Sequence, residues 1–399
     1  MKKTFIFFLM AFTFGLTACN NDDDYSPYIN PNDLVRFGKV AKVADYLYYY
    51  EADNYSPDPP SQLLMDNNGK MDVFGCSAVR NGNFYGRNLD FNINEICEFI
   101  IKTNPSATRK HASIGVANTC FYDLTKERVE AGLSDELLKY IPWMTLDGIN
   151  DAGLVCNVNV VNAADLKEKH GHTNSGKPQI MVMQLIRALL DNCGSVEEAK
   201  TFVKNYDVRP IPTTWDGHIM IADPNKTVIV EFTGEKGEEV KFVEQKQMIM
   251  TNFYNHLYNG DGNFPQHACG IERYVILEKN YATSNTMEGM WNLLKMVRYT
   301  LSYDTNVEPF WCSEYYDTAK IPDFDKYPQS YWMKDKVLAE EKPKKEVKAY
   351  EEYAKTGKYD PKDGLWFTTH NSTFDIQNRI LCVTIRELYD KRYSFRLDE

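Results

Sequence analysis

Apolar and polar positions change period several times along the chain, and each change predicts an element. From Asn32 to Glu51, Val35, Val40, Val43, Leu47 and Tyr48 recur at near-helical spacing behind a possible Asn32 N-cap. This predicts a helix, ended by Ser56-Pro57-Asp58-Pro59-Pro60. Met71–Arg80 and Asn83–Asp90 read as strands around Asn81-Gly82, a strong short-range hairpin signal. Further strand pairs are predicted at Trp143–Leu146 with Leu154–Val161, around Asp147-Gly148 and Asn150-Asp151-Ala152-Gly153. Another pairs His218–Ala222 with Thr227–Phe232 around Asp223-Pro224-Asn225. Pro178 stands at a plausible first helical position before Ile180–Leu190, and Ser195 with Glu198 forms a capping box for a second helix. Two more helices are predicted at Glu272–Lys279 and Met287–Tyr299, and closing strands at Trp366–Phe374, Ile380–Ile385 and Tyr393–Leu397. This alternation of strands and helix pairs predicts an α+β fold of two packed sheets covered by helices. The charged stretch 334–358 lacks apolar periodicity over much of its length and is predicted to be a solvated surface insertion.

The N-terminus follows a different logic. Lys2 and Lys3 precede an apolar run from Phe5 to Leu16, too short for a stable transmembrane anchor, that ends in Leu16-Thr17-Ala18-Cys19. The segment resembles a bacterial lipoprotein signal, which implies removal of residues 1–18 and lipidation of the Cys19 sulfur. The mature protein would then be exported and tethered at the outer membrane, on its periplasmic face or at the cell surface, without spanning it. Asn20-Asn21-Asp22-Asp23-Asp24 extends this into an acidic tether.

Composition narrows the function classes. The chain has 399 residues, is 43% hydrophobic and 25% charged, and carries a formal charge of -11, the profile of a soluble globular protein. The acidic balance gives no long-range attraction to phosphate backbones, so nucleic acid is not an expected partner. The 9 cysteines are odd in number and contain no CxxC spacing, against a zinc ribbon, a thioredoxin motif or a fully paired disulfide framework. No Gly-x-Ser-x-Gly elbow, P-loop or His-Glu-x-x-His segment occurs, and His170-Gly171-His172 reads as a polar loop rather than a metal site. No metal or cofactor is expected.

Candidate chemistry centres on the first hairpin. With a two-residue loop at Asn81-Gly82, Arg80 faces Asn83, and counting outward sets Cys76 opposite Arg87 on one sheet face. A guanidinium beside a thiol favours the nucleophilic thiolate. A buried structural cysteine beside a surface arginine is the alternative on the residues alone.

The wider pattern is Gly75-Cys76-Ser77-Ala78-Val79 followed by Tyr85-Gly86-Arg87-Asn88-Leu89-Asp90-Phe91. Asp147-Gly148-Ile149-Asn150-Asp151-Ala152-Gly153-Leu154, His218-Ile219-Met220-Ile221-Ala222-Asp223, Met250-Thr251-Asn252-Phe253 and Ile271-Glu272-Arg273-Tyr274 come after it in that order. The ordered set resembles the N-terminal nucleophile hydrolases of linear amides. These include choloylglycine hydrolases, penicillin V acylases, acid ceramidase, N-acylethanolamine acid amidase and the acyl-CoA:6-aminopenicillanic acid acyltransferases. The resemblance implies a four-layer αββα sandwich of two antiparallel sheets flanked by helices. It also implies self-cleavage between Gly75 and Cys76, which gives Cys76 a free α-amine able to act as base for its own thiol. By the same resemblance, Arg87 shapes the thiol environment, Asp90 holds the α-amine, Asn252 contributes to the oxyanion hole and Arg273 completes the polar floor. Asn157 and Asn159 both fall on one face of their strand; Asn159 is the choice for a further oxyanion contact.

The resulting organisation is a signal peptide (1–18), a lipid-anchored tether and prosegment (19–75) and a catalytic domain (76–399). The prosegment is expected to stay docked through its apolar helical face. The expected substrate is a small N-acyl amide. Hydrolase, acyltransferase and ligand-binding lipoprotein on the same fold all remain open, as do the acyl group and the oligomeric state. A papain-like peptidase fits less well, because Cys76 lies in a strand pattern rather than at a helix start.

Overall fold

The computed structural model describes residues 28–60, 75–92, 95–167, 170–171, 176–210, 215–234, 239–298, 366–386 and 391–398. The signal segment with Cys19, Met71 to Phe74 and the charged stretch 334–358 lie outside the described residues.

In chain order the strands begin with β1 (Val35–Phe37), β2 (Val40–Ala44), β3 (Leu47–Glu51), β4 (Gly75–Asn81), β5 (Phe84–Asn92), β6 (Glu98–Thr103), β7 (Ser113–Asn118), β8 (Thr145–Asn150) and β9 (Val155–Asn162). They continue with β10 (Gln179–Met181), β11 (Asp207–Arg209), β12 (Trp215–Ala222), β13 (Thr227–Thr233), β14 (Glu239–Val243), β15 (Met248–Met250), β16 (Trp366–Asp375), β17 (Ile380–Ile385) and β18 (Tyr393–Arg396). The helices are α1 (Lys126–Glu130), α2 (Asp135–Leu138), α3 (Leu185–Asn192), α4 (Val196–Lys204), α5 (Ile271–Asn280) and α6 (Met287–Met296).

A ten-stranded sheet runs β1-β2-β3-β6-β7-β8-β9-β12-β13-β14 and a six-stranded sheet runs β15-β4-β5-β16-β17-β18. Between them Ala78, Tyr85, Phe374, Leu381 and Val383 of the smaller sheet meet Ile114, Val116, Ile149, Val155 and Met220 of the larger in one buried core. Helices α5 and α6 cover the outer face of the small sheet, where Ile271, Tyr274, Leu277, Met290 and Leu294 pack on Val79 and Ile249. On the large sheet, Leu185, Leu189, Val196 and Ala199 of α3 and α4 pack on Cys156, Ile219, Ile221 and Val230. The order of layers is therefore helix, sheet, sheet, helix, the four-layer αββα arrangement expected above.

Four local expectations need correction. The predicted helix from Asn32 to Glu51 is a three-stranded meander, with Gly38 at φ +64° and Tyr46 at φ +67° in its two turns. Its β-branched valines and the run Leu47-Tyr48-Tyr49-Tyr50 suit a pleated, half-buried surface better than a helix. The meander joins the large sheet through β3, which pairs parallel with β6 from Leu47↔Glu98 to Glu51↔Lys102, whereas the other neighbouring pairs in that sheet are antiparallel. Trp143 and Met144 belong to a 3-10 turn (Ile141–Met144), so Asp147-Gly148 lies within β8 instead of forming a turn. Pro178 does not open a helix: Gln179–Met181 pairs with β11 and α3 begins at Leu185. The Ser195 cap is present, its Oγ accepting from the Glu198 N–H, while Glu198 Oε2 accepts from the Gly194 N–H.

The fourth correction concerns the hairpin. The pairing is Asn81↔Phe84, so the loop is Gly82-Asn83 and Cys76 faces Leu89 while Arg87 faces Ala78. Gly82 takes φ +57° at the first loop position, the place glycine favours in a type II′ connection. The slip is two residues. Because strand faces alternate with period two, it leaves Cys76 and Arg87 on the same face as diagonal neighbours.

Candidate active site

Cys76 lies on β4 in the inter-sheet layer, 1% exposed. Its Sγ is 3.9 Å from Arg87 Nη2, which also donates to the Val158 carbonyl at 3.0 Å. β9 pairs with β8 only over Val155 to Asn157. Past that point its unpaired edge turns main-chain groups toward the site: Val158 O accepts from Arg87, Val160 O accepts from Asn252 Nδ2 at 2.7 Å, and the Val160 N–H reaches the Cys76 sulfur. Sequence reading missed this backbone donor, because it depends on where a strand parts from its neighbour.

Burial pushes the Cys76 thiol above its ordinary range, and the Asp90 carboxylate adds to that, while Arg87, Arg273 and the Val160 N–H oppose it. In the continuous chain the balance leaves a protonated thiol. Arg87 alone does not activate it, contrary to the simplest sequence argument.

The other predicted residues converge on the same point. Asn252 follows β15; its Oδ1 accepts from the Cys76 N–H at 3.1 Å and from Arg273 Nη2 at 2.6 Å. Arg273, in the first turn of α5, also donates through Nη1 to the Cys76 carbonyl and to Ser77 Oγ at 3.0 Å. Buried at 1% exposure, it is not a surface helix residue. Asp90 sits opposite Gly75 in the hairpin, accepts from Thr368 Oγ1 at 2.6 Å, and lies 3.8 Å from Arg273 Nη1. Asn159 borders the small cavity beside Cys76 and donates to the carbonyls of Met250 at 3.2 Å and Thr251 at 3.3 Å, the two residues leading into Asn252. Asn157 stands one step back, donating to Asn159 Oδ1 at 2.7 Å. His170, read as part of a polar loop, is buried and bonded to Asp216 at 2.6 Å; His172 is outside the described residues.

Gly270 permits this convergence. It has φ +70°, and a Cβ there would stand 2.7 Å from Arg273 Nη2. Gly270→Ala is therefore expected to push the guanidinium off Asn252 and lower kcat on the order of a hundredfold, the scale of an ångström-sized misplacement. Kinetics alongside a thermal melt check this: a folded variant with wild-type kcat would show that Arg273 tolerates displacement.

Chemically, the site offers a cysteine sulfur, a main-chain nitrogen on the same residue, two guanidinium groups, and amide donors near the sulfur. The model for linear amide C-N hydrolases of the choloylglycine hydrolase family matches residues 77–296, more than half of the chain. The chain belongs to this family. It is a hydrolase of linear amide C–N bonds. Among solved structures, two variants of conjugated bile acid hydrolase from Clostridium perfringens are similar at 15% identity. One match covers 81% of this chain and 92% of that chain, the other 82% and 93%, each with a TM-score of 0.40. Penicillin V acylase from Agrobacterium tumefaciens is similar at 13% identity over 78% of this chain and 82% of that chain, with a TM-score of 0.32. No curated protein matches the chain.

Proposed function

We propose that this family member is a self-processing cysteine amidase whose nucleophile is Cys76. The observation that carries the reading is the convergence of Arg87, Asn252 and Arg273 on Cys76, with its nitrogen already held by the Asn252 side chain. In self-cleavage, Sγ attacks the Gly75 carbonyl carbon and the peptide C–N bond breaks. Water then hydrolyses the resulting thioester, leaving a Gly75 carboxylate and a free α-amine on Cys76. In turnover that amine takes the thiol proton and Sγ attacks the substrate carbonyl. The leaving amine departs with the proton, and water, deprotonated by the same amine, releases the acid. In this reading Asn252 and the Val160 N–H stabilise the oxyanion, Asn159, whose amide donates to the Met250 and Thr251 carbonyls, holds the segment leading into Asn252, and Asp90 with Arg273 holds the floor.

The small cavity beside Cys76 is lined in part by Leu89, Leu146, Val158 and Met183, apolar neighbours that would suit an apolar acyl group. The test is amine release from conjugated bile acids, penicillin V, fatty acyl amides and acyl amino acids by wild type and Cys76→Ala, combined with intact mass. An uncleaved wild type that releases no amine overturns the reading.

Residues 19–75 form the proposed prosegment, lipidated at Cys19 of the exported lipoprotein. It docks through strands, not through a helical face. β3 adds to the large sheet, the Ala52 N–H donates to the Lys102 carbonyl at 2.8 Å, Tyr55 donates to Asp191 Oδ2 at 2.5 Å, and Trp143 Nε1 donates to the Ser56 carbonyl at 2.9 Å. Leu47, Tyr48, Tyr49 and Tyr50 are buried in the joint. The expected outcome is that both pieces remain together after cleavage, co-eluting in 1 M salt and co-fractionating with membranes. A large piece that is wholly soluble while the small one stays with membranes would contradict this.

A further inference from the structure

Behind Arg87 runs a buried chain of charges that the proposed mechanism does not use. Arg87 Nη1 donates to Asp147 Oδ2 at 2.6 Å, and the same oxygen lies 2.8 Å from His370 Nε2. On the other side of the ring, His370 Nδ1 lies 2.6 Å from Glu98 Oε2, and Glu98 Oε1 accepts from Asn118 Nδ2 at 2.9 Å. Arg87 and His370 come from β5 and β16 of the small sheet, Glu98 and Asp147 from β6 and β8 of the large one. The chain thus bridges the inter-sheet layer, with every member at 2% exposure or less.

Distance and charge balance both call for a protonated ring. Each ring nitrogen of His370 faces a carboxylate oxygen at hydrogen-bond distance, so each needs a proton to donate; a neutral imidazole would set a lone pair against an anion. Charge balance agrees: two carboxylates and two cations sum to zero only with an imidazolium, and a surplus buried charge is costly. The groups facing the ring are Glu98 from β6, Asp147 from β8 and Arg87 from β5, whose Nη1 is 3.3 Å from Nε2. Burial works against a proton on the ring, but the two carboxylates outweigh it and raise His370 to about 9.

We infer that His370 is a positioning residue for the nucleophile: as an imidazolium clamped between Glu98 and Asp147, it cancels the surplus negative charge behind Arg87 and leaves that guanidinium's field on the Cys76 sulfur. The inference rests on Cys76 being the nucleophile. Replacing the ring by a neutral amide turns the cluster to net -1 and disfavours the thiolate. Removing one carboxylate as well restores neutrality.

The test is the rate of Cys76 alkylation by iodoacetamide, followed across pH on the processed protein by peptide mass so that Cys76 is read separately from the other thiols. His370→Gln should alkylate about tenfold more slowly near neutral pH, with its profile displaced to higher pH, the size of a one-unit effect. His370→Gln/Glu98→Gln should return toward the wild-type profile. A wild-type profile for the single variant, or a double variant no faster than the single, overturns the inference. If the single variant does not accumulate, the double decides alone: a near wild-type rate supports charge balancing and a slow one rejects it. A merely structural role would lower the melting temperature and leave the profile in place. Failure of the nucleophile assignment is distinct, because wild-type turnover would then survive complete alkylation of Cys76.

Discussion

Purified wild type will separate on denaturation into two polypeptides, the larger beginning at Cys76, whereas Cys76→Ala will keep the mass of a continuous chain and release no amine. The expected loss of turnover is on the order of a millionfold, as for other enzymes deprived of their nucleophile. The size follows from the two duties proposed for one residue. Without the sulfur there is no attack on substrate, and without self-cleavage there is no free α-amine to move protons. Cys76→Ser separates the duties, because a hydroxyl can cleave the Gly75 bond slowly yet is a poorer nucleophile at neutral pH. It should show partial processing and turnover far below wild type. The substitutions are small and Cys76 sits on β4, paired with Leu89 of β5 on one side and bonded to Asn252 just past the end of β15 on the other, so both variants should keep the wild-type melt within a few degrees. A Cys76→Ala protein that retained amidase activity would place the nucleophile elsewhere.

How legible the molecule was from its sequence depends on what each position had to specify. Element type was readable where period and caps agreed, as in α4 behind Ser195, in α5, and in the β16 to β18 meander. It was not readable at Val40, Val43 and Leu47, whose spacing also fits two short strands separated by a turn. There the parallel partner β6, some fifty residues away, decides the conformation. The active-site pair survived an error in register. Placing the loop at Asn81-Gly82 gave the wrong partner for Cys76, yet face parity depends only on whether the slip is even, so Cys76 and Arg87 still came out together.

The residues that escaped are those whose role is long-range. Glu98 stands in Cys97-Glu98-Phe99-Ile100-Ile101 and His370 in Thr368-Thr369-His370-Asn371, each a polar residue within a strand run. Such a position warns that a charge is buried and needs a counter-charge, but nothing local names the partner. Asp147 was visible, yet beside Gly148 it read as a turn. The opposing sheets bring these three together, and sheet-to-sheet pairing is the information a single sequence carries least directly. Asp147 and Glu98 are buried, yet both carboxylates are held below their ordinary range: burial works the other way, but the His370 imidazolium overcomes it, helped by Arg87 at Asp147.

Asn252→Ala should lower kcat by roughly 100 to 1000 with a smaller change in KM, the usual consequence of losing one oxyanion donor. The structure adds a second loss. Asn252 Oδ1 accepts from the Cys76 nitrogen at 3.1 Å and from Arg273 at 2.6 Å, while Nδ2 donates to the Val160 carbonyl at 2.7 Å. Removing the side chain therefore also releases the nitrogen proposed as the base and leaves a buried guanidinium short of an acceptor, a change that costs on the order of 1–3 kcal/mol of stability. Asn252→Asp distinguishes the duties. It keeps an acceptor for Cys76 and Arg273 but has no N–H, and it sets a carboxylate oxygen against Val160 O and any developing oxyanion. If the donor matters, the Asp variant should be as slow as the Ala variant or slower while melting closer to wild type. An Asp variant with near wild-type kcat would mean that Asn252 serves by holding the amine and Arg273, and that the oxyanion is carried by other donors such as the Val160 N–H.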